Sequence, residues 1–248
     1  MGNPNFEIWK EPRGFLKCLQ VFLAVFAFSC ATGFRGKFSF DQKCPKTSGG
    51  NVVHQVEGTF SYPFDNSLQL YMMSNCTTNE FETESLSLNE RHSTEFFVVI
   101  GVFCFLMSLG MLAYYIYFED LEAKARAKAS GTVNWTSGPI VDFCIALFYA
   151  FFWFVAAIAQ AAAVNGIKDT TNVHTITSKL RYCKEPNVCE KLEVAKYATL
   201  TVSILLGFLN SFVWSGNCWF LWKETPWHKE PVNTPVAAPP QQMPPAAI

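Results

Sequence analysis

Four apolar stretches, 15–34, 96–118, 139–164 and 198–222, divide this chain and carry almost no charge. Each is long enough, at about 1.5 Å rise per residue, to cross the roughly 30 Å hydrocarbon core of a bilayer. Hydrocarbon offers backbone amides no partner, so such stretches must close their hydrogen bonds internally, as helices. The chain is expected to be an all-α membrane protein of four spans. Residues 1–14 form an N-terminal lead-in, 15–222 the membrane domain with loops at 35–95, 119–138 and 165–197, and 223–248 a tail. Half of the 248 residues are hydrophobic, 16% are charged and the net charge is -1, so nothing points to nucleic acid or an acidic substrate.

The first span imitates a secretory signal, with Lys10, Arg13 and Lys17 ahead of an apolar run and Ser29-Cys30-Ala31 as a small-residue site. The run continues through Phe34, and Trp9 suits an interfacial position, so an uncleaved anchor is the better reading. Four spans put both ends on one side and the two large loops on the other. Lys and Arg counts do not choose the side, because the charge rule weakens for long loops.

Cysteines are more informative. Cys44 and Cys76 share the first large loop and Cys183 and Cys189 the second, whereas Cys18, Cys30, Cys104, Cys144 and Cys218 lie in or beside spans. Pairs on one face suggest an oxidising lumen. Four cysteines admit three pairings, and the local ones, Cys44 with Cys76 and Cys183 with Cys189, each close within one loop; four free thiols facing the cytosol are the alternative. No His stands at ligand spacing from either pair, so no metal is expected. Asn75 heads the sequon Asn75-Cys76-Thr77 and is the candidate glycosylation site; the Asn134 sequon, just before Pro139, reads as a chance match.

Within the spans Asp142 is the only acid. A charge at the bilayer centre costs about 2.5 to 3.5 kcal/mol on insertion scales. Asp142 follows Pro139 in the first turn of its helix, which predicts a carboxylate that complements the helix dipole and reaches cytosolic water. Ser203, Gly207, Ser211 and Ser215 recur every four residues and predict a face for close helix approach. Asn210 and Asn217 share an adjoining face and predict hydrogen bonds across the bundle, worth about 0.6 to 2 kcal/mol each. These positions build no continuous polar ring, so a pore lining is the weaker reading. Tyr114, Tyr115, Tyr117, Trp214, Trp219, Trp222 and Trp227 predict interfacial anchoring, with cholesterol contact at the Trp-rich end as the sharper alternative.

In the first loop, Val52, Val56, Phe60 and Tyr62, and then Leu68, Leu70 and Met72, alternate at period two. They predict strands of a small sheet, turned at Pro63 and Asp65-Asn66. The second loop is polar and less readable. Residues 119–129 carry Asp120 with Lys124 and Glu122 with Arg126 at i,i+4, which predicts an extension of the second helix. The Pro-rich end beyond Trp227 predicts disorder. Phosphate-binding Gly loops, HExxH and GxSxG are all missing, so neither enzymatic activity nor a cofactor is expected.

One resemblance covers nearly the whole chain. Lys10-Glu11-Pro12-Arg13-Gly14-Phe15-Leu16-Lys17, Phe26-Ala27-Phe28, Tyr62-Pro63-Phe64 and Glu95-Phe96-Phe97-Val98 resemble the synaptophysin family of four-span vesicle proteins. Val141-Asp142-Phe143, Phe152-Trp153, Gly207-Phe208-Leu209-Asn210 and Trp214-Ser215-Gly216-Asn217-Cys218-Trp219-Phe220 continue the match in order. The resemblance implies a MARVEL-type four-helix fold, cytosolic termini, and luminal loops each closed by its own disulfide. It further implies homo-oligomerisation, cholesterol association and, for the family's namesake, binding of the vesicle SNARE synaptobrevin. The tail lacks the Tyr- and Gly-rich repeats of the neuronal member; its short Pro-rich ending is closer to the broadly expressed one, whereas 223–228 resembles the muscle triad-junction one, and both stay open. The expected role is a non-enzymatic organiser of synaptic or transport vesicles; a channel or small-solute carrier and a claudin-like junction protein are the rivals. The claudin reading lacks a first-loop Trp, since none occurs between Trp9 and Trp135.

Overall fold

Each apolar stretch is a helix in the structure, a computed structural model that describes residues 12–45, 50–65, 67–75, 78–118, 138–183, 189–225 and 228. The long helices are α1 (Pro12–Thr32), α2 (Arg91–Tyr117), α3 (Gly138–Thr170) and α5 (Ala198–Glu224), with a short α4 (Val173–Lys179) after α3. All four long helices are apolar enough to cross a membrane. Two are longer than hydropathy suggests. α2 begins at Arg91, where the chain turns out of the loop, and α3 continues past Val164 to Thr170 because its last residues are covered by the extramembrane core. The expected helix over 119–129 and the Pro-rich tail lie outside the described residues.

Buried positions repeat at alternating steps of three and four along every long helix: 17, 20, 24, 27, 31 in α1; 97, 101, 104, 108 in α2; 142, 146, 149, 153, 156, 160 in α3; 203, 207, 210, 214, 217, 221 in α5. A repeat of 3.5 is the seam of a left-handed bundle. α1 packs against α2 and α5, and α3 packs against the same two, so α1 and α3 stand at opposite corners. The seam is small or polar, with Ala24, Ala27, Gly101, Ala156 and Gly207 at close contacts, while Phe22, Phe103, Phe151, Leu205 and Phe212 point outward and are exposed. Lipid supplies no hydrophobic drive between helices, so small residues gather inside and bulky ones face the hydrocarbon.

The two loops on the other side build one module. β1 (Arg35–Pro45) pairs antiparallel with β2 (Asn51–Ser61) and with β5 (Cys189–Glu193), giving the order β2-β1-β5, and β3 (Ser67–Asn75) pairs with β4 (Glu80–Ser87). The strands expected from alternation are β2 and β3; β1, β4 and β5 are additional. Gly36 opposes Phe60 and Phe38 opposes Gly58 across β1 and β2, and each ring lies where the facing glycine would carry a side chain. Gln42 of β1 stitches the two sheets together: its amide donates to Met73 O and accepts from Met73 N, both at 2.8 Å.

This module is continuous with the bundle. Phe34, Phe38, Phe60, Val164, Ile167 and Leu200 belong to one buried cluster. The turn after β2 holds a cis Tyr62–Pro63 bond and sits on the start of α2, where Glu90 N donates to Phe64 O and Thr94 Oγ1 to Pro63 O. Arg91 bonds Asp65 and Glu95 beside it. The second loop docks on β4, with Arg181 N donating to Glu84 and Tyr182 OH to Glu82, both at 2.6 Å. Two of the Glu residues on β4 are therefore docking points for a polar loop.

Candidate functional site

Lys17 Nζ meets Asp142 Oδ1 at 2.7 Å, and neither side chain has any exposed surface. The expected solvated carboxylate is thus corrected: Asp142 lies on the inward seam of α3, where it and Ile140 are buried while Val141 faces outward. The pair joins the two helices at opposite corners. Tyr115 OH, from α2, donates to the other carboxylate oxygen, and Lys17 Nζ stands 4.8 Å from the centre of the Trp214 ring of α5. All four helices contribute to one knot at the end that carries both chain termini. A lone charge here would be costly, whereas paired and hydrogen-bonded charges are tolerated in a low-dielectric interior.

Two aromatic anchors are corrected by the same geometry. Tyr115 and Trp214 are buried inside the bundle, while Tyr117, Trp219 and Trp222 are on its surface and Trp227 lies outside the described residues. Lys17, read from sequence as flanking charge, is the residue that sequence reasoning missed. Its signal was the shared seam 17, 20, 24, 27, 31.

The small-residue face is real over three of its four members. Ser203 accepts from Gln160 at 3.4 Å, Ser211 Oγ donates to Ala150 O at 2.8 Å, and a methyl on Gly207 would stand 2.8 Å from the Phe97 ring and 3.1 Å from Ala157. Ser215 is exposed and bonds back to Ser211 O. A four-residue step advances the helix by more than one turn, so the stripe rotates off the face by Ser215. Asn210 and Asn217 are buried on the seam, but neither bridges helices: Asn210 donates to Leu206 O of its own helix, and both amide atoms of Asn217 lack a partner among the described residues. The Gln20 amide, one turn from Lys17, is buried in the same condition.

On the sheet side, Cys183 and Cys189 form a disulfide with sulfurs 2.01 Å apart. It ties the turn at Arg181–Cys183 to the start of β5. Cys44, at the end of β1, is also disulfide-bonded; Cys76 lies outside the described residues. Asn75 is exposed at the end of β3, and its side-chain oxygen accepts from Thr78 N at 3.4 Å. Among the described residues no group of His, Cys, Asp and Glu is arranged to hold a metal ion.

The pattern that defines the MARVEL family, a membrane-associating domain, matches residues 8–220. That stretch takes in α1 to α3, α5 up to its last turn and both loops of the sheet module, and the chain belongs to this family.

Proposed function

We propose that this MARVEL chain is a synaptophysin-type organiser of synaptic or transport vesicle membranes, non-enzymatic, acting through self-association and through SNARE and lipid contacts. The observation that carries the reading is the Lys17–Asp142 knot, which ties all four helices at one end, while at the other a core with Ile167 and Leu200 joins α3 and α5 to the sheets and Thr94 bonds α2 to the turn after β2. A body fixed at both ends is suited to being an assembly unit. Its outward helix faces, rich in Phe and Leu, are left for lipid or for further copies. Cholesterol is a candidate at the surface that bears Trp219 and Trp222.

The disulfide Cys183–Cys189 on the sheet side supports a luminal placement of the module, with both chain ends in the cytosol. Crosslinking on intact vesicles, followed by identification of the adducts, tests the role. Self-adducts together with a vesicle SNARE are expected; an absence of both would overturn it. Protease added outside sealed vesicles should spare β2 and cut the tail.

A further inference from the structure

The outer face of β1 carries charges of both signs that no side chain among the described residues neutralises. Arg35, Lys37 and Ser39 alternate with the inward Phe38 and Phe40, so they share the face away from the core. Ser39 is paired with Glu57 on β2 and with Glu193 on β5, which places a carboxylate on either side of it on that same face. Lys196 joins them from the segment before α5, and these six residues line one cavity of about 430 Å³. Three cations and two carboxylates surround it. Among the described residues their side chains form no ion pair or hydrogen bond with one another or with any neighbour.

The order of the charges along the membrane normal is the decisive feature. α1 ends at Thr32 and α5 begins at Ala198, so Arg35 and Lys196 stand within three residues of helix ends that must lie at the bilayer surface. Glu57 and Glu193 are level with Ser39, two residues or about 7 Å along β1 from Lys37, with Arg35 two residues nearer the membrane. Cations therefore lie nearer the membrane and carboxylates farther out. A phospholipid headgroup has the complementary order: its phosphate lies at the glycerol level and its amine projects toward water. Among the described residues Phe38 is the single aromatic lining the cavity, too few for the cage that a quaternary ammonium takes, whereas two carboxylates suit the donors of a primary one.

We infer that this cavity is a binding site for the headgroup of an amine-bearing phospholipid in the adjoining leaflet, with the phosphate against Arg35, Lys37 and Lys196 and the ammonium against Glu57 and Glu193. The lipid completes a set of charges left open among the described side chains. It also seats the sheet module on the bilayer at a fixed height, between α1 and α5.

Native mass spectrometry of the full-length protein in detergent, with phosphatidylethanolamine, phosphatidylserine, phosphatidylcholine or phosphatidylglycerol added singly, tests this. The two amine-bearing lipids should be retained about tenfold better than phosphatidylcholine. Lys37→Gln with Lys196→Gln should lower retention of all four by a similar factor, about tenfold. Glu57→Gln with Glu193→Gln should instead leave phosphate binding in place and remove the preference for the amine. Should the lysine variant fail to fold, the glutamate variant still decides, since it changes only lipid choice. Equal retention of phosphatidylcholine, preference for phosphatidylglycerol over both amine lipids, or an unchanged preference in the glutamate variant would each overturn the assignment. A photoactivatable phosphatidylethanolamine should label 35–39 or 193–196 in liposomes, and labelling confined to other segments would count against it.

Discussion

Lys17 and Asp142 are 125 residues apart in sequence and 2.7 Å apart in space, buried at the crossing of the bundle's diagonal. Adjacent helices could be held by close packing of Ala and Gly alone, but the helices at opposite corners share little contact. The ion pair supplies a directed link between them. Because Tyr115 and Trp214 close its sides, the arrangement fixes which helices are neighbours as well as which are opposite.

Removing one partner should cost far more than removing both. Asp142→Asn leaves an uncompensated buried ammonium and is expected to destabilise by about 3 to 5 kcal/mol. Lys17→Met combined with Asp142→Leu replaces two charges by apolar groups and should recover most of that loss. Thermal unfolding of the single and double variants in one detergent checks it; additive losses would mean that the two residues do not act as a pair.

Gly207 marks a close approach of α5 to α2 and α3. Gly207→Leu must displace the Phe97 ring and Ala157, and over-packing of this kind costs about 1 to 3 kcal/mol. Ser215→Leu, on the exposed side of the same stripe, is expected to change stability by less than about 0.5 kcal/mol. Unfolding midpoints of the two variants compared with the parent separate the faces.

Much of this was legible before any coordinates. Unbroken apolar runs mark the helices because lipid forbids any other backbone, and Val56, Phe60, Leu68 and Leu70 alternate because one face of each strand is covered. β1 carries the same alternation at Phe38, Phe40, Gln42 and Cys44, obscured by Gly36 and by a buried amide in place of an apolar side chain. β5 is different. Its five residues become a strand by pairing with β1, about 150 residues away in sequence, and no local pattern encodes that. The ion pair was half visible: the 3.5 repeat puts Lys17 and Asp142 on seams, yet hydropathy scores both as edge charges. Which seam faces which is decided by packing alone.

Glu90 gives the sheet side a pH dependence. Its side chain lies over Gly166 of α3, and burial raises its pKa from the ordinary 4.5. The nearest charge along the chain, Arg91, is engaged by Asp65 and Glu95. A carboxyl whose pKa is higher in the fold than in the unfolded chain contributes stability that is full below pH 4.5 and is lost as pH rises through the folded value. Acidification from neutral pH should therefore strengthen the junction of α2 and α3, and Glu90→Gln should hold that gain at every pH. Hydrogen exchange at the start of α2, followed across pH 4 to 7, reads it; identical profiles for parent and variant would refute the assignment.

Asn217 provides the sharpest contrast with the ion pair. It is fully buried beside the knot, and neither its amide nitrogen nor its oxygen has a partner among the described residues. Both charged residues nearby have their partners; this amide has the desolvation cost of a polar group without the compensation. An apolar side chain of similar size should remove that cost, so Asn217→Leu is expected to leave stability unchanged or to raise it by about 1 kcal/mol. Asp142→Asn, measured in the same detergent, sets the scale for a loss. If Asn217→Leu instead lost 2 kcal/mol or more, on the order of a satisfied buried polar group, the amide would have to be bonded in the membrane, and the seam of α5 would be polar for a reason other than packing.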